Sequence, residues 1–265
     1  MTDFDHPPSH PTSPPPSTQA SPPPCSDGAA LSGRPVPERP GGPLPSDTRK
    51  PSDRPESARS GGAGPSPERA AVIAAFHGGL DGPSWRIAGW GSARLQRVRF
   101  DALVRTSGYR GGTVLDWGCG PGDLYFFLRS MNLPLAYAGV DIDPRMVELA
   151  RSRGVPNVEL LSPGRAPVGE VDYVFASGIF QFADPADPFY YLDILEHAYD
   201  ISRLAAAANF LSGQRREEDR AEDELYADPA VLARFAGALT DRWVIDHGYH
   251  PAGADFTIAL LKQPS

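Results

Sequence analysis

Thr113-Val-Leu-Asp-Trp-Gly-Cys-Gly-Pro-Gly-Asp-Leu124 is the stretch on which the fold turns. Val114 and Leu115 open a short apolar run suited to a buried parallel strand, with Asp116 at its carboxyl end. Gly118, Cys119, Gly120, Pro121 and Gly122 then make a turn with little side-chain bulk, and Leu124 to Leu128 start a helix. Glycine adopts backbone angles that other residues avoid and lets the chain approach a ligand closely. The cleft at the carboxyl end of such a strand is where open α/β sheets hold nucleotides.

The spacing is not that of the dinucleotide-binding G-x-G-x-x-G turn, because Asp123 stands where its third glycine belongs. A carboxylate at Asp116 would repel a pyrophosphate but suits a cation, such as the ammonium of a methionine moiety. A strand, an acidic residue and a G-x-G-x-G turn, carried here by Asp116, Gly118, Gly120 and Gly122, resemble the first motif of the class I S-adenosylmethionine-dependent methyltransferases. The resemblance covers about Trp85 to Lys262. It implies a Rossmann-like α/β fold with a seven-stranded, mostly parallel sheet, an antiparallel last strand and helices on both faces.

Composition frames this reading. The chain has 265 residues, 30 of them Pro and 27 Gly. More than half of the prolines precede Ala71, in a segment nearly free of aromatic and β-branched residues, with runs such as Pro14-Pro-Pro16 and Pro22-Pro-Pro24. Such a segment favours extended polyproline II and builds no core. Residues 1–68 are therefore expected to be a disordered tail, either inert or a docking segment for a proline-recognising partner. Residues 69–265 are the size of one domain, with 69–110 as an N-terminal helical cap.

No apolar run approaches the roughly 20 residues that span a bilayer. The start of the chain lacks the basic-then-apolar pattern of a secretory signal. The 2 Cys, Cys25 and Cys119, offer no useful staple, so a reducing, cytoplasmic setting is expected. A net charge of -8 argues against nucleic acid and for a small-molecule substrate.

From Pro67 the pattern turns helical, with Ala71, Val72, Ala75 and Phe76 as one apolar face. A second helix follows Trp90, with Leu95, Val98, Leu103 and Val104 apolar. The family resemblance puts Trp90, Gln96 and Arg99 within reach of the cofactor, Arg99 at its carboxylate. The competing reading is an amphipathic helix with a solvated basic face. His77 reads as a surface or lid residue.

Leu135 to Val140 is the second strand, and it ends at Asp141-Ile-Asp143-Pro144. By resemblance Asp141 accepts both ribose hydroxyls, and Ile142 flanks the adenine. Asp143 fits a helix cap better, because Pro144 then takes the first helical position. After the third strand, Val158 to Leu161, the family places an acidic or amide residue that reads the adenine amino group. Ser162-Pro163-Gly164-Arg165 stands here instead, so Ser162 or a backbone carbonyl is the candidate.

Val171 to Ala176 is the fourth strand. By resemblance its exit lines the sulfonium side through Ser177, Gly178 and Ile179, and Phe180 walls the acceptor pocket. A helix over Asp187 to Ser202, a fifth strand within Leu204 to Leu211, a helix over Pro229 to Leu239 capped by Asp228, and strands Trp243 to Asp246 and Phe256 to Leu261 complete the pattern. The stretches Ala-Ser-Gly-Ile-Phe, Asn-Phe-Leu-Ser, Tyr-Ala-Asp-Pro and Asp-Phe-Thr resemble a poorly characterised bacterial branch of the family.

Methyl transfer is an in-line displacement in which positioning alone can lower the barrier by roughly 7–11 kcal/mol. An amine or thiolate acceptor needs little more, whereas a hydroxyl or carbon acid calls for a general base. The candidates are His247, His250, Tyr226 and His197. Two histidines three apart without a third ligand do not suggest a metal site. Three readings follow: a small-molecule methyltransferase using S-adenosylmethionine, an inactive S-adenosylmethionine-binding scaffold, and a nucleotide-dependent oxidoreductase, which Asp116 and Asp123 disfavour.

Overall fold

The computed structural model describes residues 64–184, 187–250 and 253–263. Of the segment expected to be a disordered tail, residues up to 63 lie outside the described residues, whereas 64–68 are ordered: Pro65 is buried, Ser66 caps the first helix, and Pro67 and Glu68 belong to it. Three helices come first: α1 (Pro67–Gly78), α2 (Ser84–Ile87) and α3 (Ala93–Ser107). Then follow β1 (Gly112–Trp117), α4 (Asp123–Arg129), β2 (Leu135–Asp141), α5 (Pro144–Ser152), β3 (Val158–Leu160) and β4 (Val171–Ala176). The remainder is α6 (Tyr190–Ile201), β5 (Ser202–Ser212), β6 (Tyr226–Ala227), α7 (Pro229–Leu239), β7 (Trp243–Asp246) and β8 (Asp255–Leu261).

Period-two alternation along the inner strands explains the layering. On β1 Val114 faces one way and Leu115 and Trp117 the other; on β4 the split is Tyr173 and Phe175 against Val174 and Ala176. One face is covered by α3, α4 and α5 through Phe100, Leu103, Leu124, Phe127 and Val147. The opposite face is covered by α6 and α7 through Tyr191, Leu195, Leu232 and Ala236. A sheet apolar on both sides has to be buried on both sides.

The sheet runs β3-β2-β1-β4-β5-β8-β7. Pairing is parallel from β3 through to β5, and β8 runs antiparallel to both β5 and β7. The seven strands on this path are those expected from the sequence. An additional two-residue strand, β6, pairs with Leu211 and Ser212 of β5. The reason is local: β4 ends opposite Ala208, so the far end of β5 has backbone groups that need another partner.

The chain reverses direction across the sheet between β1 and β4, since β2 and β3 lie to one side of β1 and the later strands to the other. Ligand crevices in open α/β sheets form at this reversal, outside the carboxyl ends of the strands. Both caps expected from sequence are in place: Asp143 Oδ1 accepts from Arg145 N at 2.9 Å and Asp228 Oδ1 from Ala230 N at 2.8 Å. Among the described residues no helix is long and apolar enough to cross a membrane.

Candidate active site

The glycine turn is tied down by the end of the neighbouring strand. Gly118 N and Cys119 N donate to Val140 O at 2.8 and 3.0 Å, and Gly120 N donates to Asp141 Oδ2 at 2.8 Å. Gly118 has φ +80°, and a methyl group there would sit 2.0 Å from Ile179 Cγ2, so only glycine fits. Gly118, Cys119 and Gly120 line one cavity together with Asp116, Asp141, Ile142, Ser177, Gly178, Ile179 and Trp90. The sequence had singled out all ten of these positions. Gly122 does not reach the cavity; it opens α4 and packs against Val155.

Asp116 is buried at the floor of the cavity. Its Oδ2 accepts from the Tyr137 hydroxyl at 2.7 Å, while its buried Oδ1 has no hydrogen-bond partner. Burial pushes its carboxyl up to about 7, against the pull of the Tyr137 bond, and Asp141 and Asp123 add to the rise. An unsatisfied buried acceptor is costly. A cationic group in the cavity would relieve both the missing bond and the suppressed charge, which is what the ammonium of S-adenosylmethionine offers.

Asp141 lines the same cavity. Each carboxylate oxygen accepts one backbone N–H, from Gly120 at 2.8 Å and from Asp143 at 2.9 Å. Burial raises its pKa although both bonds oppose the rise. Each oxygen keeps a second lone pair for a hydroxyl donor. Asp143, whose Oδ1 caps α5, meets His77 Nδ1 of α1 through Oδ2 at 3.2 Å. Leu161 lines the cavity but Ser162 does not, and the Ser162 carbonyl closes a turn with Arg165 N at 3.0 Å.

On the β4 side Trp90 packs against Gly178: a methyl group added to Gly178 would be 2.8 Å from the indole. Arg99, expected at the carboxylate of the ligand, points elsewhere. Its guanidinium pairs with the buried Asp255, lies 4.8 Å from the centre of the Trp90 ring, and is absent from the cavity wall. Gln96 does reach the wall, with Nε2 on Asp123 Oδ2 at 2.9 Å. Arg153 holds the other oxygen of Asp123 at 2.8 Å.

Helix α1 supplies two residues that sequence reasoning passed over, Arg69 and Ile73, together with His77, expected as a surface or lid residue; at helical spacing, all three line the cavity. Arg69 is buried, donates to Ile179 O and stacks 3.6 Å from the centre of the Tyr190 ring. Burial pulls its pKa down.

None of the four residues considered as a general base lies on the cavity wall. His197 Nε2 meets Pro167 O at 2.7 Å, and His247 Nε2 meets Ser212 Oγ at 2.7 Å. His250 sits beside Asp255 at 3.9 Å, with burial as the main cause of a lowered pKa. The Tyr226 hydroxyl is bound to Glu224; burial first, then that carboxylate, pushes it up to about 12. No group of three or more His, Cys, Asp or Glu among the described residues could hold a metal ion.

Comparison with known proteins agrees with the geometry. Residues 114–199 match a family model described as a methyltransferase domain. A Mycobacterium tuberculosis protein named as a methyltransferase, Rv1506c, is 30% identical over 159 residues, which are 57% of this chain and 93% of that protein. Among solved structures, geranyl diphosphate C-methyltransferase from Streptomyces coelicolor, in complex with Mg2+, geranyl diphosphate and S-adenosyl-L-homocysteine, superposes with a TM-score of 0.52. That match has 13% identity and covers 74% of this chain and 99% of the other. Magnesium protoporphyrin IX methyltransferase from Synechocystis, with bound S-adenosylmethionine, gives 0.50 at 15% identity over 73% of this chain and 97% of the other. With these matches and a sheet of this order, the chain belongs to the class I S-adenosylmethionine-dependent methyltransferase family.

Proposed function

We propose that this chain moves a methyl group from S-adenosylmethionine to a small-molecule acceptor, with the chain from Pro65 onward, rather than from 69, as the working unit in a cytoplasmic, reducing setting. The observation that carries the reading is the pairing, on one cavity, of an unpartnered buried acid, Asp116, with a backbone-anchored acid, Asp141. The pair suits a ligand that carries both a cation and hydroxyls. When bound, S-adenosylmethionine supplies a methyl group on a sulfonium, open to in-line displacement.

The chain's own residues provide position and exclusion of water. Asp116 neutralises the methionyl ammonium and Asp141 accepts from the ribose hydroxyls. Ile142 flanks the adenine, and Leu161 adds apolar contact. Gly118, Cys119 and Gly120 bring backbone close to the ligand, and Ser177, Gly178, Ile179 and Trp90 form the wall on the methyl side. A net charge of -8 supports a small molecule over nucleic acid as acceptor.

Calorimetry with S-adenosylhomocysteine tests the reading. The wild type should bind with micromolar affinity, and Asp141→Ala should lose about 1.5–3 kcal/mol, the worth of hydrogen bonds to a charged group. Formation of S-adenosylhomocysteine from S-adenosylmethionine with a panel of small amines, thiols and phenols then reads turnover. Failure of the wild type to bind would remove the proposal; binding without turnover on any acceptor would leave a ligand-sensing domain.

A further inference from the structure

The sheet has two edges, and the chain guards only one of them. At one edge β3 is three residues long, with Pro156 before it and Pro163 after it. Short edge strands and nearby prolines keep a further strand from adding on. At the other edge β7 reads Trp243-Val-Ile-Asp246, a run rich in aromatic and β-branched residues, with no proline, no lysine and no bulge in its pairing with β8. Among the described residues no strand pairs with its outer side. Trp243 and Val244 are each 38% exposed.

The ladder to β8 fixes which backbone groups are left over. Leu261 N donates to Arg242 O at 2.8 Å, so Arg242, Val244 and Asp246 turn their backbone groups toward β8. Trp243 and Ile245 turn theirs outward. An N–H and a carbonyl on each of two residues, one position apart, are what a further antiparallel strand needs.

The sequence here is complementary to itself. An antiparallel copy centred on Val244 sets Trp243 against Ile245 on both sides of the centre, with N–H···O bonds exchanged at each pair. On the other face Val244 meets its own copy, and Arg242 meets Asp246. Aromatic–β-branched pairs and opposite charges across strands both stabilise a sheet. Arg242 gives one N–H to Lys262 O at 2.7 Å, and its guanidinium has more to offer. Moving the centre by one residue in either direction separates the charge pair. The proline-rich segment that precedes residue 64 is a poor rival for this edge, because proline has no N–H to give to a ladder.

We propose that a second copy of this chain docks on β7, antiparallel and about a two-fold axis at Val244, so that one sheet runs through both copies. The same patch then serves on each side, as a closed dimer requires.

Sedimentation velocity of the full chain, from low to high micromolar concentration, should show a dimer. Ile245→Pro removes an outward N–H and leaves the bonds of Val244 and Asp246 to β8 in place. It should weaken the dimer by about a hundredfold, because the two-fold axis doubles the loss. Register is read by cross-linking in a Cys25→Ser background. Facing residues of a non-hydrogen-bonded pair lie about 4.5 Å apart at Cα, within disulfide reach. Val244→Cys should therefore form a disulfide between copies on mild oxidation. Trp243→Cys should not, because its two copies stand beyond the limit of about 7 Å. A monomer throughout, a dimer untouched by Ile245→Pro, or failure of Val244→Cys to cross-link would overturn the proposal, as would a cross-link at Trp243→Cys in its place. The two cysteine variants decide the matter if Ile245→Pro fails to fold.

Discussion

Helices α1 and α3 both precede the sheet and both wall the cavity, yet they are attached by different forces. α3 buries Phe100, Ala102 and Leu103 against the sheet, and Ser92 and Gly108 close its two ends. α1 has Arg69 as its buried residue. It is held by polar contacts near its two ends: Arg69 on Ile179 O, His77 on Asp143, and Arg145 on the carbonyls of His77 and Leu80. The Phe76–Phe182 ring contact at 5.1 Å adds an apolar link. One helix is part of the core, and the other is fastened across the site. Loss of packing should cost global stability; loss of a fastening should change mainly how the ligand is kept.

The largest effect should come from the core side. Leu103→Ala, at a fully buried position, should cost about 2–5 kcal/mol in urea unfolding; a cost below about 1 kcal/mol would erase the contrast. Next in size, Asp141→Asn should weaken S-adenosylhomocysteine by about tenfold or more in calorimetry. Its amide keeps one acceptor oxygen but sets an NH2 against the second of the two backbone N–H groups, Gly120 and Asp143, so stability should also fall by about 1–3 kcal/mol; an unfolded product would place Asp141 with the core.

A third effect is on pH. Burial, with the Asp141 and Asp123 charges adding to it, raises Asp116 to about 7, although the Tyr137 bond pulls it down. For an acid whose folded pKa is raised, the penalty on the empty protein grows as pH climbs from the ordinary carboxylate range to 7, then levels off. A cationic ligand favours the ionised form and removes that penalty. Affinity for S-adenosylhomocysteine should therefore rise with pH, by up to about tenfold per unit below 7, and flatten above it. Asp116→Asn should flatten the profile, and an unchanged slope in that variant would assign the proton to another group.

The smallest effect should belong to the fastening. Arg145→Ala removes the bonds to His77 O and Leu80 O and should shift global stability by no more than about 1 kcal/mol. Release of S-adenosylhomocysteine, followed by stopped flow, should quicken several-fold; an unaltered rate would mean that α1 does not control departure.

What could be read from the sequence follows the same division. The turn at Gly118 to Gly122, Asp116, Asp141 and the strand order all depend on contacts close in sequence or on a strand-helix-strand unit of fixed reach. Asp143 was legible as a cap because Pro144 follows it. Arg99 was misread because its partner, Asp255, lies on the last strand and nothing local announces it. The α1 face was legible only in part, for a different reason. An apolar-face search selects Ala71 and Ala75, both of them exposed, with Val72 and Phe76, of which Phe76 packs on Phe182, whereas the inward line of Arg69, Ile73 and His77 borders a cavity rather than a core. A helix that borders a polar ligand need not carry the periodicity of one that borders hydrocarbon. The extra strand β6 was hidden because its two residues answer a need created by the end of β4, far away in the chain.

The contact between Gly118 and Ile179 also bears on how this sequence can drift. The glycine has no room for a methyl group because Ile179 Cγ2 occupies that space. Its φ of +80° closes the position a second time, so a smaller residue at 179 would not open it. Across descendants 118 should stay glycine, whereas 179 can shrink without waiting for it.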